Sequence, residues 1–377
     1  MSSADFQVLP LLLVGFATYQ LDRTNISSAL TGGLASAISV DQNTINLGNQ
    51  LMYIGVIVLE IPSNILLQKV NQACRHYRNG SWIGPRWWIG GQVFIFGVIA
   101  ALQIFIRNRT GFLLTRAILG LAEAGYIPGA MYTLSTWYTR EEITKRIAIF
   151  FFGMFGGTAI SPLLGAGLLR LDGKGGISGW QWIFLVEGIW SVTISLMLMF
   201  LLPEKTKYQS VLEVKKLNSE ETHDTHDPVA RRIPLTVVWQ TLTNVYKWPH
   251  FLATACVFAT WCPLTTYTPS IIMSLGFTRV QANALAAIGY FMTLPVVLFF
   301  AWLSDKTKKR GLTVMIAISV YLIALIVLRI TQSHVGRWSK FGLWTTVNGL
   351  AVGYHPIHNA WIQMNSQTSE ERSIGVA

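Results

Sequence analysis

Apolar residues gather into ten blocks along this chain, at residues 8–30, 44–67, 87–106, 111–137, 147–169, 180–202, 249–275, 282–303, 312–330 and 341–364. Each is close to the roughly 20 residues that cross the hydrocarbon core of a bilayer as a helix. The blocks are apolar on nearly all faces, so length rather than periodicity identifies them. In lipid the backbone must satisfy its own hydrogen bonds, which leaves helices and closed barrels. A barrel would read as alternating segments of about ten residues, and the sequence has none. The pattern predicts an all-α membrane protein. Residues 1–202 form a six-helix half, 203–247 a cytoplasmic linker and 248–377 a second half with four helices.

Composition sharpens this reading. Only 12% of the residues are charged, about half the share usual in soluble domains. The net charge of +11 would raise nucleic acid as a partner in a soluble chain. Here the basic residues fall in alternate loops. One set holds Lys69, Arg75, Arg78 and Arg86, then Arg140, Lys145 and Arg146, then the 203–247 stretch, then Lys306, Lys308, Lys309 and Arg310. The opposite loops are poorer, which places the rich set and both termini in the cytoplasm and excludes nucleic acid as the expected partner. No small-residue cleavage site follows a basic start, so block 8–30 reads as a span rather than a signal peptide. The three cysteines form no CxxC pair. His223 and His226 lie in the polar stretch without supporting ligands, and that stretch reads as a solvated linker. No metal or cofactor is expected. Asn108-Arg109-Thr110 is a glycosylation sequon in a short outer loop.

Four ionisable residues stand inside spans: Asp22 and Arg23 in the first, Arg116 and Glu123 in the fourth. Such groups are costly in lipid and mark function or a pairing. Arg116 and Glu123 are two helical turns apart and share one face. Gly120 and Gly125 allow close approach of another helix, and Pro128 perturbs the same span. The cation suits an anionic substrate and the acid suits a proton. Adjacent Asp22 and Arg23 point in different directions, so a cross-helix arrangement with Arg116 and Glu123 is reasonable. An ion-pair network that locks the helices is the alternative. Glu60, before Ile61-Pro62-Ser63-Asn64, reads as a gate or a cap. His355 and His358 flank Pro356 in the tenth span and read as bundle hydrogen-bonding groups able to titrate near neutral pH. Small residues Gly153, Gly156, Gly157, Gly165 and Gly167 predict a tight helix contact in the fifth span.

These residues carry a resemblance. Leu21-Asp22-Arg23-Thr24-Asn25, Glu60-Ile61-Pro62-Ser63-Asn64, Gly84-Pro85-Arg86, Arg116 through Glu123-Ala124-Gly125, Gly179-Trp180-Gln181-Trp182, Glu187-Gly188, Leu303-Ser304-Asp305-Lys306 and Glu371-Arg372-Ser373 together resemble the major facilitator superfamily. Within it the chain most resembles the fungal allantoate permease family of anion:cation symporters. The resemblance implies a major facilitator fold, alternating access between two halves and substrate near the midplane. It implies substrate contacts from Arg23, Arg116 and Asn25, proton coupling by Asp22 and Glu123, and gating by Arg86, Asp305 and Glu60. The implied partners are a small anion, a proton and the bilayer; the chain is expected to be a monomer in the plasma membrane. Relatives of this family carry allantoate, nicotinate, pantothenate, biotin, dipeptides, sulfonates or sulfate. Residues 122–138 and His355-Pro356 with Trp361 lean toward the sulfate and sulfonate branch.

Two features depart from the pattern. The family has twelve spans, and ten precede Ala377. Asn71 to Trp82 intervene where the family passes almost directly to Gly-Pro-Arg, either as a cytoplasmic insertion or as unspliced sequence. The expected function is proton-coupled symport of a small organic or sulfur-containing anion; a truncated non-transporting remnant or an anion sensor is the alternative. No HExxH, P-loop or serine elbow supports an enzyme.

Overall fold

A computed structural model describes residues 3–76, 85–138, 140–203, 239 and 243–365. Among these residues the chain is helical, with no strand. The helices are α1 (Ser3–Thr31), α2 (Leu34–Ala37), α3 (Gln42–His76), α4 (Pro85–Leu102), α5 (Arg109–Glu123), α6 (Tyr126–Trp137), α7 (Arg140–Leu168) and α8 (Gly179–Leu201). They continue with α9 (Trp248–Ser274), α10 (Arg279–Thr307), α11 (Arg310–Thr331), α12 (Arg337–Leu350) and α13 (His355–Met364). Every apolar block of the sequence lies on one of these helices or on a consecutive pair. Residues 204–238 and 240–242 of the linker, with His223 and His226, residues 77–82 of the intervening stretch and Glu371-Arg372-Ser373 lie outside the described residues. Asn71 continues α3, which runs on to His76.

Helix ends follow local chemistry. The Asp41 carboxylate accepts from the Thr44 N–H at 3.0 Å and opens α3. The Thr44 hydroxyl, and then its N–H, hold that exposed carboxyl below the usual carboxylate range. Asn108 accepts from the Gly111 N–H at 2.8 Å, so the sequon asparagine caps α5. Capping boxes built on Ser178 with Gln181 and on Thr278 with Gln281 open α8 and α10.

Two spans are broken where the sequence predicts continuous helices. The fourth stops at Glu123, turns through Ala124 and Gly125, and restarts as α6. The tenth stops at Leu350, turns through residues 351–354, and restarts as α13. In each case a proline sits in the first turn of the second piece, Pro128 or Pro356. There the missing N–H costs nothing, whereas mid-helix the ring would strike the carbonyl four residues back. The breaks fall at those carbonyls, on Ala124 and Val352.

The burial pattern is that of a protein in lipid. On α5 the outward face carries Leu114, Ile118 and Leu121, all exposed, while Phe112, Arg116, Gly120 and Glu123 are buried. On α8 Ile189, Trp190 and Phe200 face out, while Glu187, Ser191 and Ser195 are inside. Among the described residues five helices are long and apolar enough to span a membrane by themselves. The chain is an integral membrane protein.

The chain divides into two compact units. The first is Met1–Arg23, Gly33–Gly157 and Asp172–Ala230; the second is Thr24–Gly32, Thr158–Leu171 and Arg231–Ala377. In the first unit, aromatic rings from α1, α4, α6 and α7 fill the centre: Phe16 stacks on Phe150 at 4.5 Å and Tyr19 on Tyr126 at 5.5 Å. The Tyr126 hydroxyl donates to the Leu12 carbonyl at 2.9 Å. Glycines set the helix separations. Gly120 lies on the Met52 carbonyl of α3, Gly188 on Ala101, and Gly153 and Gly157 on the Leu13 and Ala17 carbonyls of α1. Part of the small-residue stripe of the fifth span therefore seats α1. In the second unit Ala159, Ile272, Ala282, Ala286 and Tyr290 form a core, and the Thr268 hydroxyl meets Asn348 Oδ1 at 3.0 Å.

A side chain at Gly120 would run into backbone, so Gly120→Val should cost about 1–3 kcal/mol of stability or more. Gly91 has open space around it, and Gly91→Ala should leave the thermal midpoint of the detergent-solubilised chain in place. Scanning fluorimetry of both variants checks this; equal midpoints would refute the close-packing role.

Candidate functional site

The site assembles on α1, α3, α5 and α8 of the first unit. Polar residues recur at spacings of one or two turns on otherwise apolar helices, and burial turns those faces inward. On α1 this brings in Tyr19, Asp22 and Arg23; on α5, Arg116 and Glu123; on α8, Glu187 and Ser191.

Arg23 reaches from α1 to the end of α5. Its Nε donates to Glu123 Oε2 at 2.8 Å, with the glutamate side chain fully buried. The guanidinium carbon lies 4.5 Å from the centre of the Tyr19 ring and 5.4 Å from that of Tyr53. Glu123 is the last residue of α5, where unpaired carbonyls make the end partly negative. A carboxylate there is unfavourable unless a cation meets it, and Arg23 supplies one. Arg23 Nη2 and Glu123 Oε1 have no hydrogen-bond partner among the described residues.

Asp22 takes a different partner. Ser191 Oγ lies 2.7 Å from Asp22 Oδ2 and 3.0 Å from the Glu187 carbonyl. A hydroxyl has one proton, so two arrangements exist. With Asp22 ionised, Ser191 donates to the carboxylate. With Asp22 protonated, Asp22 donates to Ser191 Oγ, and Ser191 turns its own proton to the Glu187 carbonyl. The site thus accepts a proton on Asp22 without orphaning a donor.

Arg116 is fully buried. Its Nη1 approaches Met52 Sδ at 3.8 Å, a weak acceptor, and its carbon lies 5.8 Å from the Phe112 ring centre. Nε and Nη2 have no hydrogen-bond partner among the described residues. Asp22 and Glu123 act on it electrostatically. A guanidinium with open planar donors matches a carboxylate, sulfonate or phosphate. Among the described residues there is no cluster of three metal-ligating side chains.

The structure brings together Asp22, Arg23, Arg116 and Glu123. It pairs Glu123 with Arg23 rather than with its helix neighbour Arg116. Glu60, half-buried on α3, lies within electrostatic reach of Arg23. Asn25 is fully buried on the part of α1 that belongs to the second unit, its amide without a partner among the described residues. Arg86 packs against the Trp87 ring in the first unit, and Asp305 is exposed at the end of α10 in the second. Sequence reasoning passes over Tyr19, Tyr53 and Ser191. The available signal for Ser191 is its one-turn spacing from Glu187 on an apolar helix.

The sequence profile of the Major Facilitator Superfamily matches residues 12–376. The chain is similar to the MFS-type transporter cnsO of Penicillium expansum, 28% identical over 389 residues that cover 99% of this chain and 72% of that protein. It is also similar to a putative tartrate transporter of Agrobacterium vitis, 29% identical over 316 residues, 81% of this chain and 67% of that one. Among solved structures, a bacterial homolog of the human lysosomal transporter Spinster, inward-facing and unoccupied, aligns with a TM-score of 0.75 at 17% identity. That alignment covers 100% of this chain and 78% of the other. A D-xylose–proton symporter aligns with a TM-score of 0.66 at 14% identity, covering 99% of this chain and 86% of its own. At these identities the two structures establish the fold alone.

Removing one member of a buried ion pair strands the other, at about 3–5 kcal/mol. Arg23→Ala and Glu123→Ala should each lower the thermal midpoint of the solubilised chain strongly, and the double variant should lose clearly less than their sum. Strict additivity in that cycle would mean the two side chains are not coupled.

Proposed function

This chain belongs to the Major Facilitator Superfamily, and from that premise we propose that it is a proton-coupled symporter of a small organic or sulfur-containing anion. Its relatives are named as transporters, and secondary transport is the coarse function they support. The observation that carries the finer reading is Arg116: a guanidinium fully buried in a spanning helix, two of its donors without a partner among the described residues, beside two acids. Buried ionisable groups in spans mark substrate and proton paths.

In this reading Arg116 binds the anion and Arg23 joins it. Glu123 holds Arg23 while ionised. Protonation of Glu123 weakens that bond and releases the guanidinium toward the substrate, which links proton binding to anion binding. Asp22 carries a proton through its exchange with Ser191. Glu60 acts on Arg23 as part of the gate, with Arg86 and Asp305 at the cytoplasmic ends. Asn25 is a further substrate contact, and alternating access moves the site between the two faces. A relative named as a putative tartrate transporter makes a hydroxy-dicarboxylate the first candidate; the sequence resemblance to the allantoate permease family adds vitamins, ureides, sulfonates and sulfate. The basic-loop asymmetry supports cytoplasmic termini, and the same resemblance supports a monomer in the plasma membrane.

The test is uptake of labelled tartrate and of labelled sulfate into proteoliposomes bearing the purified chain, with an inward proton gradient. Glu123→Gln should abolish gradient-driven uptake and spare counterflow exchange; unchanged pH dependence would remove its coupling role. Arg116→Gln should weaken anion binding by about 30-fold or more, the scale of losing one partner from a buried charge-assisted pair (about 2–5 kcal/mol). Binding of either anion without flux would favour an anion sensor instead.

A further inference from the structure

The broken tenth span carries chemistry of its own. The turn at residues 351–354 lets α13 start at His355, so that His358 falls one turn later on a buried face. Opposite it, His250 and Thr254 stand one turn apart on α9. His358 Nε2 lies 3.0 Å from His250 Nδ1, and His358 Nδ1 lies 3.3 Å from Thr254 Oγ1. One imidazole therefore bridges two groups of another helix through both its nitrogens. All of these residues belong to the second unit.

Proton counting defines what this cluster can hold. In the neutral state either His250 Nδ1–H donates to His358 Nε2 and His358 Nδ1–H donates to Thr254, or the whole chain runs the other way. Both arrangements place one proton in the N···N bond. An added proton goes to the outer nitrogen, His250 Nε2 in the first case and His358 Nδ1 in the second, and the bond survives. A second added proton would set two N–H groups against each other across 3.0 Å. The pair accepts one proton and refuses another.

We propose that His250, His358 and Thr254 form a proton-binding relay in the second unit, separate from the Asp22 and Glu123 acids of the first. Just before α9, at its N-cap, the further charged neighbour is Lys247, which acts on His250. On α13 it is His355, which acts on His358 and whose Nε2 lies 3.2 Å from Asn359 Nδ2. Tyr354 lies against His358 with ring centres 5.6 Å apart. The two other helices here offer apolar contacts: Val296 and Phe300 of α10 meet Gly353 in the turn before α13, and Gly311 of α11 meets Trp361. Their charged ends, Asp305, Lys306, Lys308 and Lys309, are exposed, and Arg310 is half-buried. The relay sits on the interrupted span of the second half as Glu123 sits on that of the first. Gly- or Pro-interrupted spans in corresponding positions are where transporters build their sites. Service of this proton in a transport cycle rests on the symporter reading; its binding does not.

Trp361 provides the readout, because its ring centre lies 4.5 Å from that of His250 at 83° and a protonated imidazole quenches indole emission. The purified full chain in detergent is titrated from neutral to acid pH without any substrate. Wild type should lose emission in one step that Trp361→Phe removes and His250→Gln abolishes. His358→Gln should move its midpoint by about one pH unit or more, the scale of coupling between interacting sites. Full chain labelled with nitrogen-15 at histidine gives the same test without substitution: two imidazoles should titrate together, taking up one proton between them. A step unaffected by Trp361→Phe, or two imidazoles titrating independently, overturns the relay. Failure here leaves the Arg116 transport reading intact, and a chain that carries no anion can still pass.

Discussion

A carboxylate at the end of a helix, inside lipid, cannot be left alone, and the first half of this protein is arranged around that constraint. Glu123 ends α5 where the backbone presents unpaired carbonyls. Arg23 meets it at 2.8 Å from another helix, and the aromatic faces of Tyr19 and Tyr53 flank the guanidinium. The pair ties α1 to the break in the fourth span. It also leaves Arg116, on the same α5 face, without the acid that sequence spacing offers it. A cation with unused donors beside an ion pair is what supports the proposed anion site.

Close packing makes that geometry possible. Gly120 brings α5 onto the Met52 carbonyl, and Gly188 brings α8 onto Ala101. The same approach places Arg116 against Met52 Sδ and Ser191 against Asp22. Lipid supplies little hydrophobic drive between helices, so small residues and polar contacts set their positions. The outer faces carry Leu, Ile, Phe and Trp, and the polar groups turn inward. Packing and chemistry here use the same helix faces, so the glycines that seat α5 and α8 also determine the reach of the site's side chains.

Both interrupted spans place an ionisable group beside the interruption, yet they do so differently. In the first unit a carboxylate is held by a cation. In the second, two imidazoles share a proton and lean on a threonine. An acid–base pair trades one bond for another on protonation, whereas an imidazole pair keeps its bond and gains a charge. In the proposed readings the two halves respond to a proton in distinct ways, one by releasing a guanidinium and the other by becoming cationic.

The spans were legible in the sequence because length and apolarity alone define a helix in lipid. The four charges of the first and fourth spans were legible too, since an ionisable residue in an apolar run stands out by its cost. Pro128 announced a perturbation, but only the structure turned it into a break after Glu123, and only the structure showed the matching break before Pro356 in the tenth span. Partners were not legible. Helix geometry puts Arg116 and Glu123 on one face and says nothing of Arg23, 100 residues away, or of Ser191 beneath Asp22. His250 and His358, 108 residues apart, meet for the same reason. Membrane burial depends on each helix alone and is written in local composition; pairing depends on the rotation and register of one helix against another, which only packing decides.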